Sequence, residues 1–352
     1  MKKIRVLVVD DTAVMRKIVS EVVDRDPEME TAGVAANGRI ALQRVNQVSP
    51  DLITLDMEMP EMGGIEMVRE LRKTHPRIPV IMLSSLTVKG AEATFDALQA
   101  GASDYVAKPA RSIGIPATLA QLQAELLPRI RHFFPQKKQG QPETPTRRNP
   151  FAARSRHSIE VVALATSTGG PNALAKVFHE FKEPLPVPVV IVQHMPPIFT
   201  RTLAERLNSC SVMSVHEGED GQVLQAGHAY LAPGGYHMET RREGTRFVLR
   251  LTQDPPENSC RPAADVLFRS VAGCFGASTL AVVMTGMGRD GFLGTQVICQ
   301  RGGSAIAQDE ASSVVWGMPS YLAKEGLAES VLPLDQIASK IESRVSASLQ
   351  LG

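Results

Sequence analysis

Short apolar runs alternate with amphipathic segments in the first part of the chain. The runs are Ile4–Val9, Asp51–Leu55, Val80–Leu83 and Asp104–Ala107. Between the first two runs, Val14, Ile18 and Val22 recur at the spacing of one helix face. Because strands that alternate with helices form parallel βαβ units, this pattern predicts an α/β domain with helices on both faces of its sheet.

The same alternation returns in the second part of the chain. Its apolar runs are Ile159–Ala165, Val187–Val192, Ala229–Pro233 and Thr279–Met284. Helical patterns over Ala173–Phe181 and Phe199–Leu207 follow the first two runs, which predicts a second α/β domain with a mainly parallel sheet. Between the two domains lies a basic segment with several prolines and few large apolar residues. Such a segment cannot form a core, so we interpret it as an interdomain linker, with a docking arm for an acidic partner as the alternative.

Composition and charge exclude several classes of protein. Lys and Arg number 38 and Asp and Glu 37, for a formal net charge of +1, so the basic excess typical of nucleic-acid-binding proteins is missing. The longest uncharged run is too polar for a membrane span, and the N-terminus does not match a signal peptide. The 4 cysteines lack metal-ligand spacing and are expected to be buried thiols. We expect a cytoplasmic protein that neither binds nucleic acid nor inserts into a membrane.

Polar residues end the predicted strands of the first domain. Asp10 and Asp11 close the first run, and Asp56 closes the second. The carboxyl ends of parallel strands meet at one edge of a sheet, so these carboxylates should converge, and oxygen ligands of this kind suit Mg²⁺. Ser84 and Lys108 end the next two runs and add a hydroxyl and a cation. This set predicts phosphoryl transfer onto Asp56.

A serine follows the first strand of the second domain. Residues 167–171 read STGGP, a strand–turn–helix junction that is similar to a nucleophile elbow. The strict pattern G-x-S-x-G is not met, because Ala165 occupies the place of the first glycine. Taken alone, a phosphate-binding turn or a helix N-cap explains the junction equally well.

An imidazole and a carboxylate also end strands of this domain. His194 directly follows VPVVIVQ, and Asp290 lies in the turn TGMGRDG. Together they predict a triad in which His194 takes the Ser167 proton and Asp290 orients the imidazole. Backbone N–H groups near Thr168 and Met287 are the oxyanion candidates.

The motifs of both domains resemble one family. VVDD, LDMEMPEMGG, MLSSLT and DYVAKP resemble the receiver domain of two-component response regulators, a flavodoxin-like doubly wound fold. TSTGGP, QHMPP, LAPGGYHM, RPAADVLF, TGMGRDG and QDEASSVVWGMP resemble the catalytic domain of the chemotaxis protein-glutamate methylesterases. The resemblance implies a receiver domain over residues 1–125, a helix end and linker over 126–157, and a doubly wound α/β methylesterase domain over 158–350.

The resemblance also implies roles for single residues. Asp56 is the phospho-acceptor, Ser84 and Lys108 contact the phosphoryl group, and Tyr105 is the aromatic residue that changes rotamer on activation. The implied Mg²⁺ ligands are Asp10, Asp11, Asp56 and the Glu58 carbonyl. For the esterase reaction the resemblance implies no cofactor.

The implied activity is that of a phosphorylation-gated serine esterase. Ser167, His194 and Asp290 would hydrolyse glutamyl methyl esters on methyl-accepting chemoreceptors, releasing methanol during chemotactic adaptation. The same acyl-enzyme route would deamidate certain receptor glutamines. A chemotaxis histidine kinase would phosphorylate Asp56, and the unphosphorylated receiver is expected to pack over the Ser167 cleft until then.

Three alternatives are weighed against this interpretation. A phospho-switched binding module with an inactive hydrolase domain would use the same motifs, although the intact Ser-His-Asp set argues against it. His237 is the second candidate for the base, because it too follows a strand and a Gly-Gly turn. A DNA-binding response regulator would need a recognition helix on a basic output domain, and the sequence indicates neither.

Overall fold

The chain forms two compact units, residues 1–138 and 139–352. The computed structural model describes residues 2–109, 114–134 and 157–349, with side chains as far as residue 346. Most of the predicted linker therefore lies outside the described residues, and the predicted domain limits stay predictions. Each unit is built on a parallel sheet with alternating helices, so the predicted α/β class is confirmed.

The first unit is a doubly wound domain with a parallel sheet in the order β2-β1-β3-β4-β5. Its elements are β1 (Ile4–Val9), α1 (Ala13–Asp24), β2 (Met29–Ala35), α2 (Gly38–Val48), β3 (Leu52–Asp56), α3 (Gly64–Thr74), β4 (Val80–Ser84), α4 (Val88–Gln99), β5 (Asp104–Ala107) and α5 (Gly114–Phe133). The strands are almost continuously apolar because helices cover both faces of the sheet. The strand order reverses beside β1, so the crevice at the carboxyl ends of β1 and β3 is the expected ligand site.

The second unit is built around a parallel sheet in the order β14-β13-β12-β6-β7-β9-β8. Its elements are β6 (Val161–Thr166), α6 (Gly170–Glu180), β7 (Val189–Gln193), α7 (Pro197–Cys210), β8 (Ser214–Glu217), β9 (His228–Leu231), β10 (His237–Glu243), β11 (Arg246–Thr252), α8 (Ala264–Phe275), β12 (Thr279–Val283), α9 (Phe292–Gln300), β13 (Ser304–Gln308), α10 (Met318–Lys324), β14 (Ser330–Leu332) and α11 (Leu334–Leu349). The central strand β6 lies between β7 and β12, and all three are fully buried. Their carboxyl ends therefore lie side by side at the switch point of this sheet.

Two features differ from the sequence prediction or go beyond it. An antiparallel hairpin, β10–β11, buries Met238 and Leu249 in the same core cluster as α8. Of the cysteines, only Cys299 is buried, whereas Cys210, Cys260 and Cys274 are half-buried free thiols, so the expectation of buried thiols was wrong for these three. Cys210 and Cys274 lie in the last turns of α7 and α8, and Cys260 lies in the turn before α8. None of the helices in the described part of the chain combines the length and apolar character that a membrane crossing requires.

Candidate functional site

Ser167 lies in a sharp turn between β6 and α6. Its N–H donates to the Thr285 carbonyl at 3.0 Å, and its own carbonyl accepts from Gly170 N at 2.8 Å and from Gln193 Nε2 at 2.9 Å. Gly169 has a φ of +76°, a left-handed conformation that favours glycine. At Gly170 a Cβ atom would lie 1.9 Å from Gln193 Oε1, so only glycine fits there. These contacts fix the serine at the carboxyl edge of the sheet, 9% exposed.

His194 and Asp290 follow the two strands that flank β6. The His194 N–H donates to the Thr166 carbonyl at 3.3 Å, which holds the histidine beside the Ser167 turn. Its Nε2 donates to Asp290 Oδ2 at 2.7 Å. Among the described residues, no hydrogen bond joins the Ser167 hydroxyl to His194. The structure thus brings the three predicted residues to adjacent strand ends and pairs the imidazole with the carboxylate.

Backbone donors surround the Asp290 carboxylate, which is almost fully buried. Besides His194, Oδ2 accepts from Ala264 N at 2.6 Å, and Oδ1 accepts from Asp265 N and Gly291 N, each at 3.0 Å. Ala264 and Asp265 are the first two residues of α8, so the positive end of this helix faces the carboxylate. Burial alone would raise the pKa of Asp290, but His194 and the backbone donors outweigh it and hold the pKa below its usual value.

The pKa of His194 is raised to about 10. Burial alone would lower it, but hydrogen bonds with the side chains of Asp290 and Cys260 favour the imidazolium. At neutral pH the resting site therefore holds an ion pair between His194 and Asp290. A general base must be neutral, so this histidine acts only in the fraction of molecules that has lost the proton.

The two oxyanion candidates lie in segments that touch the serine turn. The Thr168 carbonyl accepts from Thr285 Oγ1 at 2.9 Å, which ties the serine turn to the loop after β12. In that loop a Cβ on Gly286 would lie 2.8 Å from the Cβ of Ser167, and Met287 follows directly. The assignment of Thr168 and Met287 as oxyanion donors stays a prediction.

His237, the second candidate for the base, has both ring nitrogens engaged. Its Nε2 donates to the Pro255 carbonyl at 3.1 Å, and Nδ1 accepts from Ala263 N at 3.3 Å. The side chain is buried and holds β10 against the segment that precedes α8. This geometry favours a structural role for His237 and leaves His194 as the base candidate.

Three polar side chains next to the triad were not predicted from the sequence. Asn258 Nδ2 donates to Asp265 Oδ2 and to Asp290 Oδ1, both at 2.9 Å, and Cys260 contacts His194. Asp265 occurs within the RPAADVLF motif, but nothing in the motif shows that the side chain faces Asp290. The PPENSCRP segment indicates a turn by its prolines, yet its contacts depend on the tertiary fold.

The acidic residues of the first unit converge at the switch point of its sheet. Asp10, Asp11 and Asp56 each place a carboxylate oxygen within 4.8 Å of the others. Lys108 Nζ lies 2.7 Å from Asp56 Oδ1 and 2.9 Å from Asp10 Oδ2. Burial raises the pKa of Asp56 to about 6, although Lys108 acts in the opposite direction. Hard oxygen ligands in this number fit Mg²⁺, which keeps part of its water shell.

The remaining predicted residues of this unit lie around that cluster or its strands. Ser84 is buried, and its hydroxyl donates to the Gly90 carbonyl at 3.0 Å and accepts from Thr94 Oγ1 at 2.7 Å, so it faces α4. Tyr105 is buried, and burial raises the pKa of its phenol. The Glu58 side chain is exposed, and the Glu58 carbonyl stays a predicted ligand. Their roles in phosphorylation stay predictions.

Comparison with known families assigns both units. Residues 6–119 match the response regulator receiver domain, so the chain is a response regulator with a further domain after its receiver. Residues 162–341 match the CheB methylesterase domain. The chain belongs to the CheB methylesterase family, and the resemblance stated from the sequence is confirmed.

Relatives of nearly the same length carry one descriptive name. A protein-glutamate methylesterase/protein-glutamine glutaminase of Nocardioides sp. is 48% identical over 354 residues, which is 98% of this chain and 96% of the relative. A protein of the same name from Trichodesmium erythraeum is 44% identical over 351 residues, covering 98% of this chain and 100% of the relative. The crystal structure of the Thermotoga maritima CheB methylesterase catalytic domain is 38% identical with a TM-score of 0.52, covering 53% of this chain and 98% of that one.

Proposed function

We propose that this protein hydrolyses glutamyl methyl esters on chemoreceptors, deamidates certain receptor glutamines, and is activated by phosphorylation of Asp56. The observation that carries the proposal is the 2.7 Å pair of His194 and Asp290 beside Ser167, at the ends of three adjacent strands. The names of the relatives that match along almost the whole chain support the same activity.

In the proposed reaction Ser167 Oγ attacks the ester carbonyl while His194 accepts its proton. The carbon–oxygen bond to the methoxy group then breaks, and His194 returns the proton so that methanol leaves. Water attacks the acyl-enzyme, again with His194 as the base, which restores Ser167 and releases glutamate on the receptor. With a glutamine substrate the leaving group of the first step is ammonia.

The first unit supplies the proposed control. Asp56 carries the nucleophilic carboxylate that receives a phosphoryl group from a chemotaxis histidine kinase, and Lys108 offsets the charge that builds up there. Asp10, Asp11, Asp56 and the Glu58 carbonyl would hold Mg²⁺, which offsets phosphoryl charge when bound. In this scheme the methylesterase reaction uses water and the protein's own side chains and backbone N–H groups.

Methanol release from methylated receptor membranes tests the proposal. The full-length protein is assayed with and without a small-molecule phosphodonor and Mg²⁺, next to Ser167→Ala. A matched control is Ser209→Ala, since that exposed hydroxyl donates to the Arg206 carbonyl within α7. We expect release that rises with the phosphodonor, disappears in Ser167→Ala and persists in Ser209→Ala. Full release by Ser167→Ala would instead favour the binding-module alternative.

A further inference from the structure

A tight turn between β11 and α8 contacts two members of the triad. Glu257 and Cys260 exchange backbone hydrogen bonds of 3.1 and 2.8 Å, and the two residues between them, Asn258 and Ser259, have φ values of +52° and +63°. Positive φ at both central positions is the geometry of a type I′ turn, in which asparagine is favoured at the first. The bidentate pair of Arg269 with Glu257, at 2.7 and 2.6 Å, fastens the turn to α8.

The turn presents Asn258 to two carboxylates at once. Asn258 Nδ2 lies 2.9 Å from Asp265 Oδ2 and 2.9 Å from Asp290 Oδ1. Asp265 and Asp290 are both buried, whereas Asn258 itself is exposed. An amide NH₂ has two hydrogens and a carboxylate only accepts, so each hydrogen of Asn258 has one acceptor. Two buried carboxylates would otherwise repel each other and favour a shared proton.

Asp265 fixes the orientation of this bridge. Its other oxygen, Oδ1, accepts from Gly294 N at 2.7 Å in the first turn of α9. With Asp265 held between α8 and α9, the Asn258 amide has its NH₂ group, and not its oxygen, directed at the carboxylates. The bridge therefore occupies Oδ1 of Asp290 and leaves Oδ2 to His194 and Ala264 N.

We propose that Asn258 and Asp265 are positioning residues of the active site. The Asn258 amide joins the carboxylates of Asp265 and Asp290 and holds Asp290 in the orientation that His194 requires. The inference rests on the proposed function and adds to it a second carboxylate and an amide that do not touch the substrate. The charged and titratable groups around the bridge are Asp265 and Arg269 on α8, Glu257 and Cys260 on the turn, Asp290 before α9, and His194 after β7.

The two carboxylates determine whether loss of the amide lowers the rate more in acid or in alkali. Burial raises the pKa of Asp265 to about 6, the charge of Asp290 acts in the same direction, and the Asn258 hydrogen bond opposes both. Removing the amide therefore raises the pKa of Asp265 further. The proton that Asp265 takes up in acid can then be shared with Asp290, which weakens Asp290 as an acceptor for His194. The loss of rate should thus be larger in acid than in alkali.

Asn258→Gly is the direct test, because glycine accepts the positive φ and lacks the side-chain amide. Ser259→Gly is the matched control, since it adds the same backbone freedom at the neighbouring turn position and leaves the bridge in place. We expect methanol release by phosphodonor-activated Asn258→Gly to fall about tenfold near pH 6 and less than about threefold near pH 9, relative to wild type. For Ser259→Gly, the rate relative to wild type should be the same at both pH values.

The double variant Asn258→Gly/Asp265→Asn separates positioning from general damage. It removes one of the two facing carboxylates, so the extra loss of methanol release at about pH 6 should disappear although a second residue has changed. A purely structural role predicts that the losses of the two single changes add in the double variant and that they do not depend on pH. Additive losses would overturn the proposal, and so would losses that are the same at both pH values. Titration of the carboxyl carbons by NMR gives a readout without substrate, and a carboxyl pKa that does not rise in Asn258→Gly also contradicts the proposal.

Failure of the positioning role can be distinguished from failure of the proposed function. If Ser167→Ala released methanol at the wild-type rate, the esterase assignment would fall, while the NMR titration would still test the amide bridge. If Ser167→Ala is inactive and the Asn258→Gly profile runs parallel to wild type, only the positioning role is wrong.

Discussion

The ammonium group of Lys108 lies between the carboxylates of Asp56 and Asp10, at 2.7 and 2.9 Å. It offsets part of the cost of burying them, so the pKa of Asp56 rises only to about 6. At neutral pH the Asp56 carboxylate is mostly ionised, which is the nucleophilic form. The contact with Lys108 therefore determines the pH range in which Asp56 can accept a phosphoryl group.

Replacing the acceptor should remove activation and leave basal turnover. In Asp56→Asn the nucleophilic carboxylate is absent, and we expect no increase in methanol release on adding phosphodonor and Mg²⁺. Asp24→Asn is the control, because Asp24 is an exposed carboxylate of the same unit and accepts a hydrogen bond from Thr31 N, away from the Asp56 cluster. Undiminished stimulation of Asp56→Asn would assign the phosphoryl group to a different residue.

Lys108→Ala should make phosphodonor stimulation more sensitive to acid. Without the ammonium, the pKa of Asp56 rises further above its usual 3.8, and the ionised fraction near neutrality falls. We expect stimulation to drop about tenfold near pH 6.5 and less near pH 8. Lys73→Ala, which removes an exposed lysine paired with Glu70, should match wild type at both. Equal losses at both pH values would show that Lys108 acts without changing the Asp56 charge.

The esterase rate should rise with pH. The imidazole of His194 has a pKa of about 10, so its neutral fraction grows roughly tenfold per pH unit below that value. A profile of kcat/KM for the phosphodonor-activated enzyme measures this directly, and a flat profile between about pH 7 and 9 would contradict a free-enzyme pKa this high.

Folding stability should change with pH in the opposite sense. The folded-state pKa of His194 lies above the ordinary value of 6.5, so the stabilisation from its pair with Asp290 is fully present below pH 6.5. It is lost as pH rises through about 10. Denaturant unfolding of His194→Ala next to wild type should therefore show a difference in unfolding free energy that shrinks over this range. A difference that does not change with pH would argue against the ion pair.

Gly170→Ala should damage the serine turn. The added methyl would lie 1.9 Å from Gln193 Oε1 and 2.8 Å from Thr166, inside a fully packed region. We expect a loss of about 1–3 kcal/mol in unfolding free energy together with loss of esterase activity. Gly273→Ala is the control, because nothing lies within 4 Å of the new Cβ and the position is helical. That variant should be as stable as wild type or up to about 1 kcal/mol more stable.

The patterns along the chain predict much of this fold because its strands are buried on both faces. Runs such as 6–9 and 189–192 are continuously apolar for that reason, and the polar residue that ends each run marks the edge of the sheet. This is why Asp10, Asp56 and His194 could be singled out from the sequence. The hairpin β10–β11 was not predicted, since its charged outer positions interrupt the apolar pattern.

Side-chain orientation is the part that the sequence does not contain. Ser84 ends β4 as predicted, yet its hydroxyl bonds to α4, a choice that depends on Gly90 and Thr94 nearby. Asn258 lies 32 residues before Asp290 in the chain, and their hydrogen bond exists only because the turn is fastened to α8. Contacts of this kind follow from tertiary packing, which no local pattern encodes.

The start of α8 has a further consequence for turnover. Asp290 is held by the N–H groups of Ala264 and Asp265, whose dipoles cannot be titrated. When His194 gives its proton to a leaving group, the carboxylate loses a cationic neighbour but keeps this constant field. The imidazole of His194 can therefore carry the one proton that moves in the acid–base cycle, while the Asp290 carboxylate stays ionised.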